Sequence, residues 1–391
     1  MHLAFALLTL FPGRVGGSES AVRGLLGEFA AGNGPERVTV LANRHAAGPY
    51  ADFARGPVRV HEVGSYRAGA SDLTRLAAMA TAGLMRRRTA GDVPAGIDVV
   101  HHPLTVPIPI IDGVPTVTTL HDMQHHDLPS FFSRSERAYR RWAYDGAARR
   151  ATVVITPSEY TRRRLLELEG LAPENVEAVP AGIDHHRFNL DRRDADDSLG
   201  RRRGFGERYV VYPANLWPHK NHARLIDALA AARDRELQLV LTGRDYGRGG
   251  QLREHARVAG VAERVRHLGY LERNEMPALL RGATAMVFPS LYEGFGSPPL
   301  EAMACGCPVA SSAAGSLAEA VGEAALVFDP ASVESIADAI DRVTGDAALR
   351  ERLRTAGLEN ASRYSWSRAA ARHRSIYERA AATLPPIARS R

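Results

Sequence analysis

The stretch Phe288-Pro289-Ser290-Leu291-Tyr292-Glu293-Gly294-Phe295-Gly296-Ser297-Pro298-Pro299-Leu300-Glu301 holds the densest chemistry in the chain. An apolar run ending near Pro289 reads as a strand and the glycines as a loop. Pro298 or Pro299 reads as the start of a helix, where proline is favoured because the first turn needs no internal N–H donor. Gly294 and Gly296 let a ligand approach the backbone closely. The helix N-terminus offers free N–H groups and the positive end of a dipole, which suits a diphosphate. Glu293 and Glu301 flank this loop. An ionised carboxylate only accepts, through two oxygens, so it can hold neighbouring hydroxyls of a ribose or a sugar. The plainer reading makes Glu301 a partner of the helix dipole and Glu293 a turn residue; the glycine loop between them favours the ligand.

Composition singles out one more residue. Of the 50 basic residues, 49 are arginine and one is Lys220. The lone lysine is either chance or a place where a compact ammonium does what a planar guanidinium cannot. The net charge of +6 is compatible with nucleic acid, an anionic surface or a phosphorylated ligand. The arginine runs Arg86–Arg88, Arg162–Arg164 and Arg201–Arg203 lack interleaved aromatics and read as solvated faces, so no nucleic-acid partner is expected. Cys305 and Cys307 suit neither a structural disulfide nor a zinc site and read as small core residues. No apolar run reaches the roughly 18 residues of a membrane span. The apolar start, His2–Phe11, lacks a basic leader and reads as a buried strand rather than a signal peptide, which points to a cytoplasmic protein.

The segment His121-Asp122-Met123-Gln124-His125-His126-Asp127 contains metal-ligand material. On a helix, His121 and His125 would share a face, and a metal-dependent hydrolase is the reading that follows. The segment comes directly after a strand, however, and no H-E-x-x-H motif is present. Asp194-Ala195-Asp196 matches a D-x-D metal motif but falls in a charged stretch that reads as a linker. The expectation is therefore no metal.

Taken together, E-G-F-G-S-P-P-L-E-A-M-A-C-G-C-P-V-A from Glu293 resembles the signature of retaining glycosyltransferase family 4, which has the GT-B fold. The resemblance runs over nearly the whole chain. It includes G-G-S-E at Gly16–Glu19, T-T-L-H-D at Thr118–Asp122, V-P-A-G-I-D at Val179–Asp184, N-L-W-P-H-K-N at Asn215–Asn221 and Y-S-W at Tyr364–Trp366. It implies that Glu301 binds the donor ribose, and that Glu293 with Gly294, Phe295 and Gly296 meets the donor sugar and phosphates. Lys220 would neutralise the departing diphosphate, and Gly16 and Gly17 would lie against it from the other domain. His121 would contact the donor sugar near the reacting carbon, with Glu19 and Asp122 on the acceptor side. The family often has an arginine where this chain has Asn215, and Arg244 is the candidate substitute. It often has asparagine where this chain has Ala181. The base would be read partly through main-chain groups near Leu268–Leu271. The resemblance further implies retention of configuration by front-face attack, with no conventional nucleophile and no metal. The H-D-M-Q-H stretch favours a mannose-type sugar on GDP over UDP. A sugar-nucleotide epimerase or a phosphorylase with a GT-B-like fold are alternatives.

The elements that would position these residues read as α/β. Strands are expected at Leu3–Leu10, Val38–Asn43, Val58–Val63, Ile97–His101, Thr116–Leu120 and Thr152–Thr156, with helices between several of them. A second series is expected at Tyr209–Ala214, Leu237–Thr242, Val265–Leu268, Ala285–Pro289, Val309–Ser311 and Ala325–Phe328. The expected organisation is two Rossmann-like, doubly wound domains facing across a cleft: 1–186, a linker at 187–207, and 208–366, with a terminal helix in 367–391 packing back on the first domain. Open α/β sheets bind ligands at the carboxyl ends of their strands. The acceptor is open: a saccharide, a lipid-linked saccharide or a small metabolite. Leu73–Arg88 could form a basic amphipathic helix at the inner face of a membrane, or an ordinary domain helix.

Overall fold

The computed structural model describes residues 1–13, 16–32, 34–66, 89–192, 196, 198–272 and 274–383. Leu73–Arg88, and Asp194 and Ala195 of the D-x-D triplet, lie outside the described residues. The chain divides into two compact units, Met1–Gly182 with Trp366–Arg391, and Ile183–Ser365.

The first unit holds a parallel sheet of β1 (His2–Leu7), β2 (Arg37–Ala42), β3 (Val58–Glu62), β4 (Val99–His102), β5 (Thr116–Thr119), β6 (Val153–Thr156) and β7 (Val176–Ala178), in the order β3-β2-β1-β4-β5-β6-β7. Side chains alternate across a strand, and β1 shows the consequence. Leu3, Phe5 and Leu7 enter one apolar core while Ala4 and Ala6 enter another. A strand buried on both faces reads as a continuous apolar run, which is why these strands are visible in the sequence. β1 stops three residues short of the expected Leu10, because Leu10 N–H turns back to the Leu7 carbonyl and Asn43 Nδ2 holds the carbonyls of Leu8 and Leu10.

The second unit holds β8 (Tyr209–Pro213), β9 (Gln238–Thr242), β10 (Val265–His267), β11 (Ala285–Phe288), β12 (Val309–Ser312) and β13 (Leu326–Phe328), again parallel, in the order β10-β9-β8-β11-β12-β13. Strand order reverses between β1 and β4 in one sheet and between β8 and β11 in the other. At such a point the loops leaving two adjacent strands part towards opposite faces and open a crevice at the carboxyl edge. Both units are thus Rossmann-like, as expected.

The stretch expected to be a free linker, 187–207, is part of the second unit. Phe188, Leu199 and Phe205 are buried in its core, and Asp196 is held by Arg281 at 2.7 Å with both side chains 5% exposed. The charged run around Asp191 masked these evenly scattered apolar anchors. Helix Ala347–Ser362 carried no clear sequence signal, because its buried stripe is only Leu349, Leu353, Gly357 and Ala361. Among the described residues no helix is long and apolar enough to cross a membrane.

Helix Trp366–Ala382 belongs to the first unit, where Ala369, Ala370, Ile376, Tyr377 and Ala380 join the core beneath helix Gly17–Ala30. The approach of these helices depends on Gly24, where a Cβ would lie 2.1 Å from Cε2 of Trp366. Gly24→Ala should therefore lower stability by about 1–3 kcal/mol, the usual cost of overpacking. Thermal melting should show the loss, and Trp366→Leu in the same chain should recover part of it. A melting temperature unchanged by Gly24→Ala would contradict this packing.

Candidate functional site

In the second unit the loops leaving β8 and β11 meet at the switch point. The first carries Lys220 in the turn Pro218–Lys220; the second carries Glu293. Lys220 Nζ donates to Glu293 Oε1 at 2.5 Å, with the side chains 17% and 13% exposed. The backbone is sewn to match. Leu291 N–H donates to the His219 carbonyl at 2.7 Å, and the buried Tyr212 hydroxyl donates to the Lys220 carbonyl at 2.8 Å. Asn221 sits at φ 62, a conformation asparagine tolerates, and its Nδ2 donates to the carbonyls of Pro289 and Pro330. On the other side, Ser316 donates from both its backbone N–H and its hydroxyl to the Glu293 carbonyl. Gly315, at φ 66, permits this, since a Cβ there would lie 2.6 Å from that carbonyl oxygen.

Gly296 precedes helix Ser297–Ala304, which has Pro298 in its first turn and no side-chain cap. Pro298 and Pro299 carry no N–H, so in this first turn only the Ser297 N–H and the dipole are left for an anion. Glu301 lies on this helix, half-buried. Burial pushes its carboxyl up to about 7, against the lowering effect of Arg187, while Asp184 raises it further. Asp184 and Arg187 are site neighbours that the sequence reading did not single out.

The remaining second-unit candidates surround a groove of about 540 Å3 at the ends of β9 and β10, lined by Gly243, Arg244, Asp245, Tyr246, His267, Leu268, Gly269 and Tyr270. Asn215 does not stand in for the missing family arginine by charge. Its Oδ1 accepts the Arg244 backbone N–H at 2.8 Å and so anchors the loop that carries Arg244. The Arg244 guanidinium lies over the Tyr270 ring, 5.6 Å from its centroid. Leu271 is buried in the core and is not among the residues that line the groove. Trp217 and Tyr246 stack with centroids 4.5 Å apart, both largely exposed beside this groove; neither stood out by sequence spacing.

In the first unit, helix Gly17–Ala30 begins after Gly16 without a side-chain cap, at the carboxyl end of β1. Glu19, placed on the acceptor side by resemblance, has its carboxylate occupied. Oε2 accepts Gly13 N–H at 2.7 Å and Oε1 accepts from Arg23 at 3.1 Å, so it braces the glycine loop. Asp122 accepts Gln124 N–H and closes its own turn. His121 follows β5, and its Nε2–H donates to the Pro103 carbonyl at 2.7 Å. Burial holds its pKa below the usual range, so the ring is neutral and Nδ1 carries a lone pair.

The metal grouping of His121 with His125 is not formed. His125 and His126 instead both present Nε2 to Asp145, each at 2.9 Å, and these three are the ligand-type group present among the described residues. Burial pushes Asp145 up, but the two imidazole donors outweigh it and hold its carboxyl below the ordinary range. The donor set does not suit a metal. An imidazole bound through Nε2 normally donates its other ring N–H, and His125 Nδ1 is buried without a partner.

The sequence matches glycosyltransferase family 4 over residues 15–187 and the glycosyl transferases group 1 family over residues 201–360. Glycogen synthase of Mycobacterium tuberculosis is 31% identical over 316 residues, covering 77% of this chain and 73% of that protein. The chain belongs to glycosyltransferase family 4. O-antigen chain mannosyltransferase B of Escherichia coli is 28% identical over 253 residues, and the match spans 64% of this family 4 chain and 66% of the relative, just under two thirds of its length. The fold is GT-B: HepE of Anabaena, solved with UDP and glucose, superposes with a TM-score of 0.74 at 21% identity, over 97% of this chain and 100% of HepE.

The Glu301 environment has a measurable consequence. Its folded pKa lies above the unfolded value of 4.5, so the folded chain holds a proton that the unfolded chain has lost between those values. The associated stability is present below pH 4.5 and is lost as pH rises through about 7. Glu301→Gln should therefore gain stability over the parent at pH 8 relative to pH 5, by roughly 2 kcal/mol. Melting temperatures at the two pH values check this; an equal difference at both would refute it.

Proposed function

We propose that this family 4 glycosyltransferase transfers a hexose, with mannose-type sugars favoured, from a GDP- or UDP-sugar to a hydroxyl of a saccharide, lipid-linked or small-metabolite acceptor, with retention of configuration. The observation that carries the reading is the Lys220–Glu293 contact at the switch point of the second sheet, next to an uncapped helix N-terminus. An ammonium has three protons. One is committed to Glu293, and two remain for the oxygens of a departing diphosphate. A fixed cation where leaving-group charge develops is often the largest catalytic contribution. Glu293, held by Lys220 and by its own backbone, faces the sugar hydroxyls, and the carboxyl oxygens of Glu301 face the two hydroxyls of the ribose. Neutral His121 offers Nδ1 to the donor sugar. The leaving phosphate assists removal of the acceptor proton, so no side-chain nucleophile is required.

We also infer that the reaction needs no metal. The cation and the helix N-terminus supply the charge complement, and Asp196 of the D-x-D triplet is committed to Arg281. The name of the E. coli relative supports mannose and that of HepE supports UDP with glucose, so both donors are to be tried.

Calorimetry of GDP and UDP in the presence of EDTA tests the assignment. One of the two should bind without metal, and Lys220→Ala and Glu301→Ala should each weaken it by about tenfold or more. Binding of neither nucleotide would overturn the site. Arg244→Ala should weaken the same binding if Arg244 supplies the charge absent at Asn215; unchanged affinity would remove Arg244 from the donor site.

A further inference from the structure

The first unit contains a buried chain of hydrogen bonds that runs from its C-terminal helix to the end of β5. Tyr377, on helix Trp366–Ala382, is fully buried, and its hydroxyl lies 2.8 Å from His101 Nδ1. His101 Nε2 lies 2.8 Å from Thr119 Oγ1. The proton positions follow by elimination. If the phenol accepted from His101, its own proton would be buried without an acceptor among the described residues, a costly arrangement. Tyr377 therefore donates, Nδ1 accepts, and Nε2–H donates to Thr119. Burial, reinforced by His373, His102 and His121, drives the His101 pKa well below its usual range, so the ring is neutral, as this tautomer requires.

The chain stops at Thr119. Its oxygen accepts from His101, so its own hydroxyl proton points elsewhere, and no acceptor for it exists among the described residues. Thr119 is only partly buried, is the last residue of β5, and stands two residues before His121. The same strand end is tied twice more. Thr105, held at φ 69, donates from its hydroxyl to the Thr119 carbonyl at 2.8 Å, and His121 donates to the Pro103 carbonyl at 2.7 Å. A threonine in the left-handed region persists only where its surroundings hold it there. Phenylalanine at 377 and valine at 119 would fill nearly the same space. What the polar groups add is orientation, because each hydrogen bond of the chain is directional.

We propose that Tyr377 and His101 are positioning residues for sugar transfer, fixing the carboxyl end of β5 so that the Thr119 hydroxyl and the His121 imidazole present one orientation to the substrate. The proposal rests on the assignment of His121 to the donor sugar.

The test uses Tyr377→Phe, Thr119→Val and Thr119→Ser in the full chain, with His121→Ala as reference. Turnover is followed as release of GDP from GDP-mannose or UDP from UDP-glucose with water as the acceptor of the sugar, and nucleotide affinity by calorimetry. Tyr377→Phe and Thr119→Val should each lower kcat by about tenfold, while the nucleotide Kd stays within about twofold, because the groups that hold the nucleotide lie in the second unit. Thr119→Ser should restore most of kcat. Histidine nitrogen NMR should show the Nε2–H tautomer of His101 in the parent chain, and in Tyr377→Phe the same tautomer with the Nδ1 resonance shifted by loss of its donor. Unchanged kcat in both Tyr377→Phe and Thr119→Val, with His121→Ala inactive, would overturn the positioning role alone. A fully active His121→Ala would overturn the reading of His121 and this proposal with it. A fall in kcat matched by an equal loss of nucleotide affinity would mark a general structural effect and likewise overturn it.

Discussion

The reversal of strand order between β8 and β11 is the constraint on which the site depends. Lys220 and Glu293 are 73 residues apart, yet their side chains meet at 2.5 Å because their loops leave adjacent strands at one sheet edge. Nothing in either loop alone specifies the contact. The sheet supplies it, and the surrounding bonds fix it: Leu291 to the His219 carbonyl, Tyr212 to the Lys220 carbonyl, Asn221 to the Pro289 carbonyl. The first and third join the two chain segments and the second ties the Lys220 turn to its own strand, all through main-chain carbonyls that would otherwise have to be satisfied by water. On the proposed function, a preorganised ion pair costs little further ordering when a diphosphate arrives, which is where electrostatic catalysis gains most.

The histidines of the first unit show that a cluster in sequence need not be one cluster in space. His121, His125 and His126 are close in sequence and all are held at Nε2, but by different partners. His121 finds a carbonyl, and the other two find one aspartate. A buried imidazole needs a partner for its ring N–H, and a carbonyl or a carboxylate serves as well as a metal. The π-helical turn Arg141–Asp145 places that aspartate beneath both rings. No local pattern in the sequence announces it, since Asp145 lies 20 residues beyond His125.

Much of the fold was legible because its strands are buried on both faces. Runs such as Val99-Val100 and Val153-Val154-Ile155 need no alternation to be seen. The site was legible where spacing is local, as with Glu293, Gly296 and Glu301 around one strand–loop–helix turn. It was not legible where partners are distant. Asp184 and Arg187 beside Glu301, Asn215 under the Arg244 backbone, and Gly13 on Glu19 all depend on chain that returns from elsewhere or on a bond that side-chain type does not dictate. Glu19 and Asp122 are instructive: both were assigned to the acceptor by analogy, and both carboxylates hold backbone N–H groups of their own loops. Asp–Arg-rich composition likewise concealed the anchors Phe188, Leu199 and Phe205, because charge density says nothing about the few residues between the charges that are buried.

The same reasoning explains why the one lysine stands where it does. An arginine opposite Glu293 would offer a planar fork that matches a carboxylate with two parallel bonds, and its remaining donors would be fixed in that plane. Elsewhere in this chain arginine is used in that way: Arg203 reaches both oxygens of Glu275 through Nε and Nη2, while Arg164 closes the same pair of nitrogens on the single Oδ1 of Asp127. Those contacts are structural, and their strength lies in being saturated. An ammonium on Glu293 commits one proton and keeps two that can turn towards a group not yet present. On the proposed function, the single lysine stands where a cation is held by a carboxylate and keeps two donors for the departing diphosphate.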